Sequence, residues 1–159
     1  MEQLVRKAER LAALLKERKE TVAVAESSTG GLVSAALLAV SGASAYFLGG
    51  AVVYTREARR VLVDIPDAAM AGMRASTEPY AALLAATARQ RLSAHWGIAE
   101  TGATGPTGNR YGDAAGHSCM AVVGSTTSVI TLETGSNDRA GNMQVFAATA
   151  LKLLLKELG

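Results

Sequence analysis

Two serines and a threonine stand where a strand pattern gives way to a helix pattern. The segment from Glu26 to Gly31 reads E-S-S-T-G-G, between the apolar run Val22 to Ala25 and the helix-like run that begins at Leu32. Backbone N–H groups at a helix start are unpaired and lie at the positive end of the helix dipole, so they can stabilise an oxyanion. Ser27 is therefore a candidate nucleophile. Ordinary N-capping is the alternative reading of these residues.

Three further motifs lie along the chain. Tyr54 and Arg59 belong to the segment from Gly49 to Arg59, five glycines lie from Gly102 to Gly116, and Arg139 ends the segment from Gly135, just before the last predicted helix. Ligands of α/β folds bind in loops at the carboxyl ends of strands, so we expect Ser27, Tyr54 and the loop from Gly102 to converge. The glycine-rich segment has neither the G-x-G-x-x-G nor the Walker A spacing, and a flexible connection is its alternative interpretation.

In their order and spacing, these four motifs resemble the CinA C-terminal domain family, whose characterised members are nicotinamide mononucleotide deamidases. The resemblance runs from about Leu4 to the C-terminus and implies one domain over residues 1–159, in the stand-alone form without the additional N-terminal domain of full-length CinA proteins. It implies a small-molecule nucleotide substrate, no cofactor and no metal. It also implies a homodimer or a higher homo-oligomer.

The resemblance assigns roles to residues. Ser27 corresponds to the serine of the family segment E-S-C-T-G-G and is expected to attack the carboxamide carbon. Tyr54 is expected to orient the substrate or relay a proton, and Arg139 matches the arginine of the family segment G-D-R and would supply positive charge. The backbone N–H groups around 29–31 would receive the oxyanion. The predicted substrate-binding residues are Thr29, Gly30, Gly31, Thr101, Gly102, Thr104 and Gly105.

Two positions depart from the family pattern. Arg59 stands where the family has a catalytic lysine, and Asp113 lies where lysine is common. An arginine side chain ordinarily has a pKa of about 13, so removing its proton at pH 7 costs about 8 kcal/mol. General-base catalysis contributes only about 3–5 kcal/mol. Arg59 can therefore bind an anion or stabilise an oxyanion in the predicted catalytic set, but it cannot be the base.

Other candidates for the general base are acidic residues near the motifs. Glu26 adjoins Ser27, and Glu57 and Asp138 lie within the second and fourth motifs. A solvated carboxylate or a helix cap is the alternative role for each of them. Their distances from the Ser27 hydroxyl depend on the fold, so the sequence leaves the base unassigned.

Three functions are compatible with these residues. The leading hypothesis is an amidohydrolase that converts nicotinamide mononucleotide to nicotinate mononucleotide and ammonia through an acyl-enzyme on Ser27. The second is a non-catalytic nucleotide-binding or interaction module that keeps the pocket and has lost the base. The third is a structural subunit, which predicts no nucleotide binding. Ammonia release, compared with binding alone, distinguishes the first two.

Composition excludes several other classes. A formal charge of +2 without a basic stripe, with four Tyr, two Phe and one Trp, argues against a nucleic-acid partner. No apolar run is long enough to span a membrane, and the charged N-terminus is not a signal peptide, so we expect a soluble cytoplasmic protein. The single cysteine, Cys119, fits a reducing compartment and a buried small side chain. His95 and His117 lack a second ligand at metal spacing.

The periodicity of apolar residues predicts the elements that must position these motifs. Helices are expected over 2–19, 30–40, from a cap at 76–77 to about 95, and over 140–157. Strands are expected over 21–25, 50–54, 97–101, 117–123 and 127–133, the last two as a hairpin. This alternation predicts a three-layer α/β/α domain with a mixed, mostly parallel sheet and one C-terminal hairpin.

Overall fold

The computed structural model describes all 159 residues and contains five α-helices and five strands. The helices are α1 Glu2–Arg18, α2 Leu32–Leu38, α3 Arg56–Val63, α4 Glu78–Arg91 and α5 Arg139–Leu158. The strands are β1 Val22–Glu26, β2 Phe47–Val52, β3 Trp96–Ala103, β4 His117–Val123 and β5 Thr127–Glu133. Two short 3-10 helices cover Ala43–Ala45 and Asp67–Met70. None of the helices combines the length and the apolar character that crossing a bilayer requires.

The strands form one mixed sheet in the order β2-β1-β3-β4-β5. β1 pairs in parallel with both β2 and β3, whereas β4 is antiparallel to both of its neighbours. The predicted α/β class, the mixed sheet and the C-terminal hairpin are therefore confirmed, with two parallel and two antiparallel pairs. The carboxyl ends of the three parallel strands lie at the same edge of the sheet.

Alternating side chains along the strands divide the core into two layers. Val22, Val24 and Ile98 belong to the cluster that packs against α1, α2 and α5. Ala23 and Ala99, at the intervening positions, belong to a second cluster that includes residues of α3 and α4. Because successive side chains of a strand point to opposite faces, helices cover both faces of the sheet. Ser27, which follows β1, continues the alternation on the α3 and α4 face.

The side chains of the sheet that face α4 are small, so this helix approaches the sheet closely. At Gly97 of β3, an added Cβ would lie only 2.0 Å from the carbonyl oxygen of Ala85 in α4. Such a separation is far shorter than any carbon–oxygen contact, so the helix could not occupy its place over a larger residue. The glycine thus fixes the position of α4, whose N-terminal half borders the site described below.

The structure differs from the sequence prediction in several elements. β2 begins at Phe47 rather than at 50, and α4 ends at Arg91 rather than near 95. The helix α3 was not predicted, because its eight residues bury only Arg59 and Val63 and carry no repeating apolar stripe. Its start is nevertheless capped, since the Thr55 hydroxyl accepts a hydrogen bond from the Ala58 N–H at 3.0 Å.

Candidate active site

Four segments of the chain surround one cleft at the carboxyl ends of β1 and β2. The cleft has a volume of about 480 Å³, and Ser27, Tyr54 and Arg59 all line it. Ser27 follows β1, Tyr54 follows β2, and Arg59 projects from α3. The remaining wall comes from residues before α4 and from the tip of the loop between β3 and β4. Three of the four predicted catalytic residues therefore share a cavity.

A buried carboxyl group beneath the Ser27 turn fixes the backbone of that turn. Glu100 of β3 is fully buried and accepts hydrogen bonds from the N–H groups of Ser27 at 3.3 Å and Thr29 at 2.9 Å. The hydroxyls of Ser28, at 2.5 Å, and Ser118, at 2.9 Å, also donate to it. Burial raises the pKa of Glu100, and these hydrogen bonds only partly oppose the effect. The sequence analysis did not single out Glu100.

Glu26 is buried and caps helix α2. Its carboxylate accepts hydrogen bonds from the N–H groups of Gly31 at 3.2 Å, Val33 at 2.9 Å and Ser34 at 3.0 Å. Glu26 and Ser27 are consecutive residues at the end of β1, so their side chains point to opposite faces of the sheet. Of its two predicted roles, base or cap, Glu26 takes the second.

The N–H groups expected to bind the oxyanion already have acceptors within the protein. Thr29 donates to Glu100, Gly30 to the Ser27 carbonyl oxygen at 3.2 Å, and Gly31 to Glu26. The buried carboxyl groups and the turn therefore supply an acceptor for each of these three N–H groups, and their oxyanion role stays a prediction. The neighbouring N–H of Ser28 donates to no backbone carbonyl.

Tyr54 and Arg139 are 85 positions apart in the chain and meet at the edge of the cleft. The guanidinium of Arg139 donates to the Tyr54 hydroxyl oxygen at 3.3 Å and to the carbonyl oxygen of Gly105 at 2.5 Å. Arg139 begins α5, whose N-cap Asp138 accepts from the Gly141 N–H at 3.2 Å. Tyr54 and Arg139, which the resemblance assigns to one catalytic set, are therefore in direct contact, and Asp138 serves as a cap.

Arg59 points into the protein rather than into solvent. Only 8% of its surface is exposed, and its guanidinium pairs with Asp67 and donates to the Ile65 carbonyl oxygen at 3.4 Å. Asp67 also lines the cleft and is the one carboxylate that does so. Glu57, another candidate base, instead pairs with Arg60 on the exposed side of α3.

The first residues of the glycine-rich segment, which were predicted to form a wall of the substrate pocket, lie outside the cleft. Thr101 and Gly102 lie within β3, where they pair with β4, because β3 extends to Ala103 rather than ending at 101. The Thr101 hydroxyl accepts from the Ser76 N–H at 3.0 Å, and the Thr104 carbonyl oxygen accepts from Asn142 at 2.9 Å. The predicted residues Thr101, Gly102, Thr104 and Gly105 do not line the cleft that contains Ser27.

Basic and aromatic residues missed by the sequence analysis complete the cleft. Arg56, Arg74, Arg110 and Tyr111 line it together with Arg59. Arg74 forms a two-pronged ion pair with Asp113, at 2.8 and 3.2 Å, and this contact lowers the pKa of the Asp113 carboxyl group. The acid at position 113, where the resemblance leads us to expect lysine, was the available sequence signal for a basic partner such as Arg74.

His117 and Cys119 are buried side chains of β4. His117 is buried between Glu133 and the Ser76 carbonyl oxygen, the latter at 2.8 Å from Nε2. Burial lowers the pKa of His117, but the hydrogen bonds to these groups outweigh it, and the net shift is upward. Cys119 is buried as predicted, and burial raises the pKa of its thiol. No three His, Cys, Asp or Glu side chains are grouped as a metal site would require.

Sequence relatives cover nearly the whole chain. A CinA-like protein from Parasynechococcus marenigrum (strain WH8102) is 38% identical over 142 residues, which are 89% of this chain and 34% of that protein. A CinA-like protein from Gloeobacter violaceus is 36% identical over 149 residues, or 92% of this chain and 35% of that protein. The chain thus spans about a third of the length of these curated relatives.

Solved structures share the fold over the same extent. A competence or damage-inducible protein from Enterobacter asburiae has a TM-score of 0.91 at 28% identity, with 98% of both chains covered. The competence/damage inducible protein CihA from Agrobacterium tumefaciens has a TM-score of 0.89 at 26% identity, with 97% of this chain and 94% of that chain covered. The family model of the CinA C-terminal domain matches residues 5–158 of this chain. The chain therefore belongs to the CinA C-terminal domain family.

Proposed function

We propose that this protein is an amidohydrolase that converts nicotinamide mononucleotide to nicotinate mononucleotide and ammonia, with Ser27 as the nucleophile. One observation carries the proposal: Ser27, Tyr54 and Arg59 line a single cleft, and Arg139 contacts Tyr54. A volume of about 480 Å³ lies within the range of small-molecule sites. The arginines of the wall suit an anionic substrate.

The proposed reaction has two steps. The Ser27 oxygen bonds to the carboxamide carbon, the C–N bond breaks, and the nitrogen leaves as ammonia with the proton that Ser27 gives up. Water then attacks the resulting ester, which releases the carboxylate product and restores the Ser27 hydroxyl. The Ser28 N–H, which donates to no backbone carbonyl, is the donor adjacent to the nucleophile and is assigned to the oxyanion.

Asp67 carries the one carboxylate that lines the cleft, and we assign it the role of general base. It lines the cavity with Ser27, and Arg59 holds its carboxylate. In this proposal Arg59 takes no proton from Ser27 and orients the group that does. Tyr54 orients the carboxamide, and Arg139 holds the Tyr54 hydroxyl and the Gly105 carbonyl in place.

The contacts of Arg59 also favour a second candidate, a nucleotide-binding module without catalysis. Arg59 occupies the position of the family lysine, and Asp67 and Ile65 already engage its guanidinium. Such a module would keep the cleft and its affinity for the nucleotide but would leave the carboxamide intact.

In either case we expect a homodimer or a higher homo-oligomer, which sedimentation velocity would measure.

An assay of the unmodified protein separates the two candidates. Nicotinamide mononucleotide is incubated with the protein, and ammonia is measured alongside calorimetric binding of the same compound. The amidohydrolase predicts stoichiometric ammonia and nicotinate mononucleotide. Binding without ammonia would refute it in favour of the module, and the absence of both would refute both candidates.

A further inference from the structure

Four arginines line the cleft, and only two of them form ion pairs with carboxylates. Arg59 forms an ion pair with Asp67, and Arg74 forms one with Asp113. Arg56 and Arg110 also line the cleft, but neither forms an ion pair with a carboxylate. The cleft therefore carries two positive charges that no acidic side chain balances.

These two arginines come from different segments of the chain. Arg56 is the first residue of α3, whereas Arg110 lies in the loop between β3 and β4. Both side chains are exposed, so a ligand in the cleft can reach them. Two unbalanced guanidinium groups on one concave surface focus a positive potential there and attract an anion.

Tyr111 holds the Arg110 side of the wall in place. The Arg110 guanidinium donates to the Tyr111 hydroxyl oxygen at 2.9 Å, and its central carbon lies 5.0 Å from the centre of the Tyr111 ring. The Arg74 guanidinium carbon lies 4.8 Å from the same ring centre. Stacking on an aromatic ring restricts a guanidinium group and leaves its remaining N–H donors available.

We propose that Arg56 and Arg110 bind the phosphate of the substrate and so restrict the cleft to phosphorylated nicotinamide nucleosides. The fork of N–H donors on each arginine matches the oxygens of a phosphate monoester. Ser27 lines the same cleft, so the phosphate and the carboxamide of one molecule share it. This assignment rests on the proposed amidohydrolase for the identity of the substrate and gives its phosphate a defined site.

Calorimetry with ribose 5-phosphate and with ribose tests the phosphate site without any chemistry. The variants are Arg56→Gln, Arg110→Gln and the double variant, with Arg60→Gln as the matched control. Arg60 is an exposed arginine of the same helix, it pairs with Glu57, and it does not line the cleft. Each single variant should weaken ribose 5-phosphate binding about 10-fold, and the double variant about 100-fold. Arg60→Gln should bind as the natural protein does.

Three results would overturn the assignment: no binding of ribose 5-phosphate by the natural protein, equal binding of ribose, or a double variant that binds like the Arg60→Gln control. Failure of the amidohydrolase would look different. In that case no ammonia would form, yet ribose 5-phosphate would bind and depend on Arg56 and Arg110. If instead ammonia formed equally fast from nicotinamide mononucleotide and nicotinamide riboside, the phosphate site alone would be refuted.

Discussion

At the level of single residues, both positions at which the sequence departs from the resemblance take part in ion pairs. Arg59 pairs with Asp67, and Asp113 pairs with Arg74. A lysine presents a single ammonium that can lose its proton when desolvated, whereas an arginine keeps its charge and holds a carboxylate in a fixed geometry. The cleft of this protein is thus built around permanent charges.

The Arg59→Lys variant tests what this substitution does to the reaction. Position 59 is buried, which favours the neutral amine, so a lysine here can act as a second base beside Asp67, and we expect kcat to rise by about 10-fold or more. Activity should increase towards alkaline pH, because only the neutral amine accepts the Ser27 proton. Ammonia release measured from pH 6 to 10 gives both quantities.

Arg60→Lys is the control for this variant, because Arg60 lies beside Arg59 on α3 and faces solvent. It should change neither the rate nor the pH profile. An unchanged rate and an unchanged pH profile for Arg59→Lys would contradict a second base at position 59 and would leave Asp67 as the base.

At the scale of elements, two buried carboxyl groups hold the turn between β1 and α2. Glu26 binds the first turn of α2, and Glu100 binds the turn that carries Ser27. The Thr29 hydroxyl contacts both, at 2.8 Å from Glu26 and 3.1 Å from Glu100. Because these contacts consume the N–H groups of the turn, the turn is rigid, and little of its backbone is left to bind a ligand.

The pH dependence of stability tests the state of Glu100. Burial raises its pKa above the ordinary value of 4.5, at which the unfolded chain titrates. Between these two pKa values the unfolded chain has lost the proton and the native protein retains it, so the free energy of unfolding falls as pH rises. Glu100→Gln cannot ionise; its amide oxygen can accept from the Ser27 and Thr29 N–H groups as the carboxyl does, and its amide N–H can donate to the Ser28 and Ser118 hydroxyls, which then act as acceptors. Its stability relative to the natural protein should therefore increase with pH above about 4.5.

Denaturant unfolding from pH 4 to 9 measures this difference. Glu9→Gln is the control, because Glu9 is an exposed residue of α1 and should follow the natural protein at every pH. Parallel pH profiles for Glu100→Gln and the natural protein would contradict the raised pKa. A difference that decreases with pH would require a lowered pKa instead.

Elements with long apolar patterns were predictable from the sequence, and those fixed by distant partners were not. The bounds of β4 and β5 agree with the prediction, and α1 and α5 agree to within one residue at each end. The positions of Ser27 and Tyr54 after strands were enough to predict that they lie at one edge of the sheet, whereas only the family resemblance implied that Arg139 belongs with Tyr54. The role of Glu100 was not predictable, because its partners in the turn lie more than 70 positions away along the chain. A single acid in a strand indicates no role by itself.

At the scale of the whole molecule, a formal charge of only +2 conceals a strongly basic cleft. Four of its lining residues are arginines and one is an aspartate, while acidic residues elsewhere balance the total. Sequence composition averages over the surface, so it could not predict this concentration of charge. The fold creates it by bringing α3, the segment before α4 and the β3–β4 loop to one edge of the sheet.

In the proposed reaction, Ser27 performs the chemistry in this cleft. Ser27→Ala removes only the hydroxyl, and the Glu100 and Glu26 contacts to the turn come from other atoms, so the fold and the affinity for nicotinamide mononucleotide should persist. Ser125→Ala, in the exposed turn of the hairpin, is the matched control.

The decisive measurement is ammonia release from nicotinamide mononucleotide by the natural protein, Ser27→Ala and Ser125→Ala at equal concentration. We expect ammonia from the natural protein and from Ser125→Ala, and none above background from Ser27→Ala, which still binds the nucleotide. Ammonia release by Ser27→Ala at the rate of the natural protein would contradict the covalent mechanism.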